Sequence, residues 1–278
     1  MTNRLKRIAI QGFSGSFHDT AAKSFYGNEL SLVFCSTFSE VVRKSTNSAT
    51  ADGGVMAIEN SIAGTILPNY QLLKNSDLSI NGEIYLTISQ HLMALPGQKI
   101  SDIKEIHSHH MALKQCDKFL ENHPDIKLIE TEDTALSAQH IKEGQLKGVA
   151  AIASERAAKI NKLELIERHI ETVKNNFTRF LVINKKASHI SEVDKASILF
   201  SLPHQPKALA TILNTIGHYG FNISKIQSFP IIEREWSYYF VLDIDFDNIE
   251  QFQKLLTELQ SQTSYFRTLG IYKKGETL

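Results

Sequence analysis

Near the start of the chain, Arg7-Ile8-Ala9-Ile10-Gln11-Gly12-Phe13-Ser14-Gly15-Ser16-Phe17-His18-Asp19-Thr20-Ala21-Ala22 reads as a hydrophobic strand, a turn of two glycines and two serines, and a helix start. The same order recurs downstream: a strand over residues 32–35 precedes a helix over 38–44, and a buried strand over 54–58 precedes a helix over 64–73. Further strand and helix patterns follow over 83–95, 104–107, 111–121, 127–130, 134–143, 149–152 and 155–160. Strands interleaved with helices predict an α/β fold with a largely parallel sheet covered on both faces. Residues 184–194 have no apolar period and read as a linker. Beyond them strand, helix, strand, strand, helix, strand over 196–272 gives the βαββαβ order of a ferredoxin-like domain.

Composition narrows the function classes. The 278 residues carry zero formal net charge, 42% hydrophobic and 22% charged residues, which suits a soluble chain of two domains. Neutral balance argues against nucleic acid as a partner, since phosphate binding draws on a basic excess. No apolar run approaches the roughly 20 residues of a membrane span, and residues 1–7 lead into a strand rather than a signal-peptide core. Cys35 and Cys116 are too few for a disulfide framework, so a reducing cytoplasm is the expected compartment.

Chemistry concentrates where strands end. The turn at Ser14, Gly15 and Ser16 opens a helix whose unpaired N–H groups suit a carboxylate or phosphate; a capping serine in a tight turn is the plain alternative. Ile58-Glu59-Asn60-Ser61 repeats the device, with Glu59 read as a structural carboxylate and Asn60 and Ser61 as ligand contacts. His107-Ser108-His109-His110 lacks metal-ligand spacing, so Ser108 reads as a helix cap with His109 near the cleft. Glu132-Asp133-Thr134 reads as an acidic helix cap. Neither cysteine has a histidine partner for nucleophilic chemistry. Asn175-Asn176-Phe177-Thr178-Arg179-Phe180 crowds an amide, a hydroxyl, a cation and an aromatic face at the start of a buried strand.

Five ordered motifs then carry a resemblance that spans nearly the whole chain. Gly12 to Phe17, Ile58 to Gly64, Ser108 to Cys116, Ala150 to Ser154 and Asn176 to Phe180 resemble the motifs of prephenate dehydratase, and the tail is similar to an ACT domain. The chain departs from the family pattern at His110, where a proline is usual, at Gln90 in place of a histidine, at Lys207 in place of a glycine, and at Gln227 and Phe229 in the ACT segment. The resemblance implies a catalytic region over 1–184, two lobes with a cleft between them as in periplasmic binding proteins. Lobe one would span about 1–78 plus 177–184, and lobe two about 79–176. A linker over 185–194 and an ACT domain over 195–278 would follow.

It implies conversion of prephenate to phenylpyruvate with loss of water and carbon dioxide, in phenylalanine biosynthesis, with no cofactor and no metal. Thr178 would assist proton delivery to the leaving hydroxyl. Arg179 would anchor a substrate carboxylate, with a bridge between subdomains as the competing role. Ser14, Gly15, Ser16, Asn60, Ser61, Ser108 and Phe180 would complete the pocket. L-phenylalanine would bind at Ala208, Leu209, Asn222, Gln227 and Ser228 in a homodimer or homotetramer. Arogenate dehydration and a non-catalytic two-lobed amino-acid sensor remain the alternatives.

Overall fold

A computed structural model describes residues 4–185, 192–232 and 234–278; most of the expected linker, residues 186–191, lies outside them. The first lobe is built on β1 (Lys6–Gln11), β2 (Leu30–Cys35), β3 (Gly53–Asn60), β4 (Gly64–Thr65) and β5 (Ser79–Thr87), with α1 (Phe17–Tyr26), α2 (Phe38–Thr46) and α3 (Leu67–Lys74). The second holds β6 (His91–Ala94), β7 (Glu105–Ser108), β8 (Lys127–Glu130), β9 (Val149–Ala153) and β10 (Glu164–Glu167), with α4 (His110–Gln115), α5 (Asp117–Glu121), α6 (Thr134–Gly144) and α7 (Glu155–Asn161). The chain then returns to lobe one as β11 (Phe177–Asn184). The sheet orders are β2-β1-β3-β11-β5, with β4 beside β3, and β10-β6-β9-β7-β8.

Both sheets are mixed, unlike the largely parallel sheet expected. The β1–β2, β1–β3, β7–β8 and β7–β9 pairs are parallel, while β11 runs antiparallel to both β3 and β5. The antiparallel pairs arise where the chain crosses between lobes and re-enters a sheet without a covering helix. The first crossing also falls later than expected. Residues 79–87 belong to lobe one rather than the expected lobe two: β5 pairs with β11 along its length, and the chain leaves lobe one only after Thr87. Residues 83–95, a single span in the sequence pattern, therefore hold the end of β5 and all of β6, in two different sheets. The crossings lie side by side, with Ile88 N–H donating to the Asn176 carbonyl at 2.8 Å and Ile170 N–H to that of Gln90 at 2.9 Å.

Alternation along β11 shows how both faces of the lobe-one sheet are buried. Phe180 and Val182 join Ile8, Ile10, Ala21 and Ala22 beneath α1. Leu181 and Ile183 point the other way, to Met56, Tyr70, Leu73 and a third sheet, as a two-residue period requires. That third sheet comprises β12 (Lys195–Ser201), β13 (Asn222–Pro230), β14 (Tyr238–Asp245) and β15 (Tyr265–Tyr272), in the order β13-β14-β12-β15. Helices α8 (Ala208–His218) and α9 (Ile249–Ser261) cover one face. Its other face, through Leu199, Val241, Leu269 and Tyr272, packs on lobe one. The contact with β5 is close enough that a Cβ on Gly270 would fall 2.1 Å from the Ile80 carbonyl oxygen. Residues 276–278 continue along β5, with Leu278 N–H donating to the Tyr85 carbonyl at 2.9 Å. Among the described residues no helix is long and apolar enough to cross a membrane.

Candidate active site

A cavity of about 630 Å³ lies between the two lobes. Lobe one contributes Gln11, Ser16, His18, Phe38, Asn60, Thr178 and Phe180; lobe two contributes Gln90, His109, Met111, Gln115, Asp133 and Thr134. Its described lining includes no Lys or Arg, while Glu132 and Asp133 are acidic. Five helix N-termini border it: α1 at Ser16, α2 at Thr37, α3 at Ile66, α4 at His109 and α6 at Asp133. Their unpaired N–H groups and dipoles are the positive elements available to an anionic ligand.

Thr178 stands at the cleft end of β11, nine-tenths buried. Its Oγ1 accepts a hydrogen bond from Asn60 Nδ2 at 3.0 Å. The orientation of that amide is fixed, because Asn60 Oδ1 accepts the N–H groups of Ile62 and Ala63 at 3.0 and 2.9 Å. Asn60 Nδ2 also donates to Asn176 Oδ1 at 2.6 Å and lies 3.2 Å from the Phe177 carbonyl. Toward Asn60 the Thr178 hydroxyl is an acceptor, so its own proton is free for another partner. Phe180, two residues on, supplies an apolar wall on the same face.

Arg179 points the opposite way, which corrects its expected role as a carboxylate anchor. Its side chain is 3% exposed and faces the third sheet. The guanidinium donates to Glu83 Oε2 at 2.7 Å, to Asp243 and to the Tyr272 hydroxyl at 3.0 Å. Lys195 completes the group by pairing with Glu83 at 2.9 Å. Burial works against the Arg179 charge, but Asp243, Tyr272, Tyr70 and Glu83 outweigh it and raise its pKa further. Neighbours on a strand face opposite sides, so Thr178 and Arg179 cannot share one pocket. The bridging role weighed for Arg179 is the one the geometry supports.

The other expected contacts divide. Ser16 and Asn60 line the cavity; Ser14 does not. Gly15 serves lobe contact instead: its carbonyl accepts from Ser154 Oγ at 2.6 Å, and at φ +91° its Cα packs on Ala157. Beside it, Asp19 is bound by Arg156 of α7 at 3.1 Å and by Lys23 at 2.8 Å. Burial alone would raise the Asp19 pKa, but Lys23, the Gly15 amide and Arg156 together lower it. Ser61 is turned to the crossing, accepting from Phe177 N–H at 2.9 Å. Ser108 is fully buried and donates to the Ile152 carbonyl at 2.6 Å, so its expected substrate contact is also withdrawn. The α4 cap is His109, whose Nδ1 accepts from Met111 N–H at 3.3 Å. Glu59 pairs with Lys225 of β13 at 2.7 Å, as befits a structural carboxylate.

Several cleft residues escaped the sequence reading. Gln11 ends β1, and His18 sits one residue beyond the motif that was recognised. Gln90 is 2% exposed and donates to Gln115 Oε1 at 3.3 Å. Asp133 was read only as a cap, which it is: Oδ1 accepts from Ala135 and Leu136 N–H. Burial pushes its carboxyl pKa up. Burial, followed by the nearby His110, lowers that of His109.

The fold is that of two α/β lobes around a cleft, joined to a ferredoxin-like domain. Residues 8–188 match the family model described as prephenate dehydratase, and residues 196–262 that of the ACT domain. The chain belongs to the prephenate dehydratase family, whose members are decarboxylating dehydratases. It is 35% identical over 271 residues to a bifunctional chorismate mutase/prephenate dehydratase of Aquifex aeolicus, covering 97% of this chain and 74% of that one. It is 34% identical over 284 residues to arogenate dehydratase/prephenate dehydratase 1 of Arabidopsis thaliana, covering 96% and 71%. Among solved structures, prephenate dehydratase from Staphylococcus aureus superposes with a TM-score of 0.82 at 28% identity, covering 97% of this chain and all of that one. GqqA, described as a novel type of quorum quenching acylase, superposes at 0.86 with 26% identity, covering 97% and 98%.

Proposed function

We propose that the cleft converts prephenate to phenylpyruvate, with Thr178 delivering the proton to the departing ring hydroxyl. The observation that carries this is the Asn60–Thr178 bond: the amide donates to Oγ1, so the threonine proton is left to point at the ligand, and the same bond stabilises negative charge developing on that oxygen. Aromatisation of the ring supplies the driving force, and no covalent intermediate is needed. Phe38 and Phe180 wall the ring and exclude water. The cation-free lining suits a carboxylate that must leave as carbon dioxide, because a paired cation would hold it as the anion. The arm that stays is held by donors of the lobe walls and the helix N-termini.

An acylase reading finds no nucleophile paired with a base in the described cavity lining: Thr178 Oγ1 meets an amide, neither cysteine lines the cavity, and Ser89, 2.6 Å from His169 Nδ1, lies outside the lining. Arogenate is a second substrate candidate, since Glu132 and Asp133 line a cleft where its ammonium would sit. Purified protein given prephenate should release phenylpyruvate and carbon dioxide in equal amounts, and arogenate in the same assay ranks the two substrates. No phenylpyruvate from prephenate would overturn the proposal.

Regulation by L-phenylalanine follows from the ACT domain. Ala208 and Leu209 begin α8, Gln227 and Ser228 lie toward the end of β13, and Asn222 begins that strand. Five residues of strand put Asn222 about 17 Å from Gln227, so one copy does not gather the effector residues. β13 is an edge strand, with Ile226, Trp236 and Tyr238 exposed along or beside it. Two copies pairing these edges antiparallel would bring Asn222 of one against Gln227 of the other. The effector site thus calls for a homodimer, with the buried Arg179 group as the link to β11 and Thr178. We assign the chain to a reducing compartment, the cytoplasm, where Cys35 and Cys116, both buried and unbridged, would remain thiols.

A further inference from the structure

His18 lines the cavity on the lobe-one wall and has no part in the dehydration scheme above. Its ring is edge-on to Phe180, with centroids 4.9 Å apart, and 5.5 Å from Phe38. Its Nε2 accepts the Ala57 backbone N–H at 3.2 Å. Ala57 sits where the β3–β11 ladder slips between Arg179 and Phe180, and such a bulge leaves backbone groups in need of partners. A ring nitrogen that accepts carries no proton, so the neutral imidazole has its proton on Nδ1. Turning the ring over would set a carbon against the Ala57 N–H, so the same bond fixes its orientation. Nδ1–H has no partner among the described residues. Burial keeps the ring neutral, its pKa lowered from 6.5 to about 3.

We infer that His18 binds the substrate, Nδ1–H donating a hydrogen bond to the carboxylate of the side arm that prephenate and phenylpyruvate share. This rests on the reading of the cleft as the dehydration site. A donor that grips in substrate and product alike belongs on the group that survives the reaction; on the leaving carboxylate it would oppose departure. A neutral donor also adds no cation near that leaving group.

Nitrogen-15 NMR of the full chain labelled at histidine tests this directly, with phenylpyruvate as the probe. The resting protein should show His18 as the Nδ1–H tautomer between about pH 5 and 8, and saturating phenylpyruvate should move the Nδ1 resonance. In turnover, His18→Phe should raise the KM for prephenate roughly tenfold, the cost of one hydrogen bond left unmade, with kcat little changed. His18→Gln, which can both accept and donate, should recover part of the loss. The Nε2–H tautomer, an Nδ1 resonance that phenylpyruvate leaves unmoved, or an unchanged KM in a folded His18→Phe enzyme would each overturn it. If His18→Phe does not fold, the wild-type spectra decide. Wild-type turnover is the separate control: prephenate consumed with Nδ1 unmoved sinks this inference alone, whereas no turnover sinks the reading of the site.

Discussion

At Thr178 a hydroxyl accepts from Asn60 across two strands, and at Arg179 a guanidinium meets two carboxylates of a different interface. The sequence reading placed both in one pocket, although strand alternation alone separates them. The motif was legible; the side to which each residue points was not, because lobe one buries both faces of its sheet and hydrophobicity gives no contrast. His18 carries a pH prediction. Its native pKa is about 3, whereas the unfolded chain titrates it near 6.5. Between those values the unfolded state binds the additional proton, so stability present above pH 6.5 is lost progressively as the pH falls toward 3. Thermal unfolding midpoints should fall through that window, and should fall less steeply in His18→Phe. Parallel slopes for the two proteins would contradict it.

Among the elements, the Gly12–Ser16 turn was legible in the sequence, but the division of labour within it was not. Ser16 caps α1 at the cleft, while Gly15 touches α7 across the lobes. That contact joins residues 139 apart, which no local pattern reports. Gly15→Ala would set a Cβ 2.8 Å from the Ala157 backbone at φ +91°. A loss of about 1–3 kcal/mol is expected from such strain, read by denaturant unfolding, together with a higher KM as the lobes part. Unchanged stability would show that the turn yields without cost. The break inside residues 83–95 carried a weak signal: Ser89, Gln90 and His91 interrupt the apolar run, but no glycine, proline or charge marks a loop, and Ile88, Gln90 and His91 are buried in the crossing.

For the molecule as a whole, Arg179, Lys195, Glu83 and Asp243 form a charge-balanced group buried between the catalytic lobe and the ACT domain. Removing one partner from a buried ion pair leaves an uncompensated charge, which costs about 3–5 kcal/mol. Arg179→Met should therefore lower stability by that order, and hydrogen exchange should quicken in β5 and β14. A variant as stable as the parent would show that solvent already reaches the group. Calorimetry on the full chain should show L-phenylalanine binding that is lost when Gln227→Ala and Asn222→Ala are combined; binding that survives both would place the effector elsewhere. The βαββαβ order of the ACT domain was readable from the sequence. Its docking surface was not, because Arg179, Glu83 and Asp243 lie on three separated strands that only the tertiary fold assembles.

The hydroxyl of Thr178 is the centre of the account, and single-turnover kinetics on prephenate tests it most directly. Thr178→Val keeps the shape and removes the proton, so the chemical step should slow by about 10²–10⁴-fold, the usual worth of positioned acid catalysis. Thr178→Ser should stay close to the parent. A valine enzyme that forms phenylpyruvate at the parent's rate would contradict the assignment.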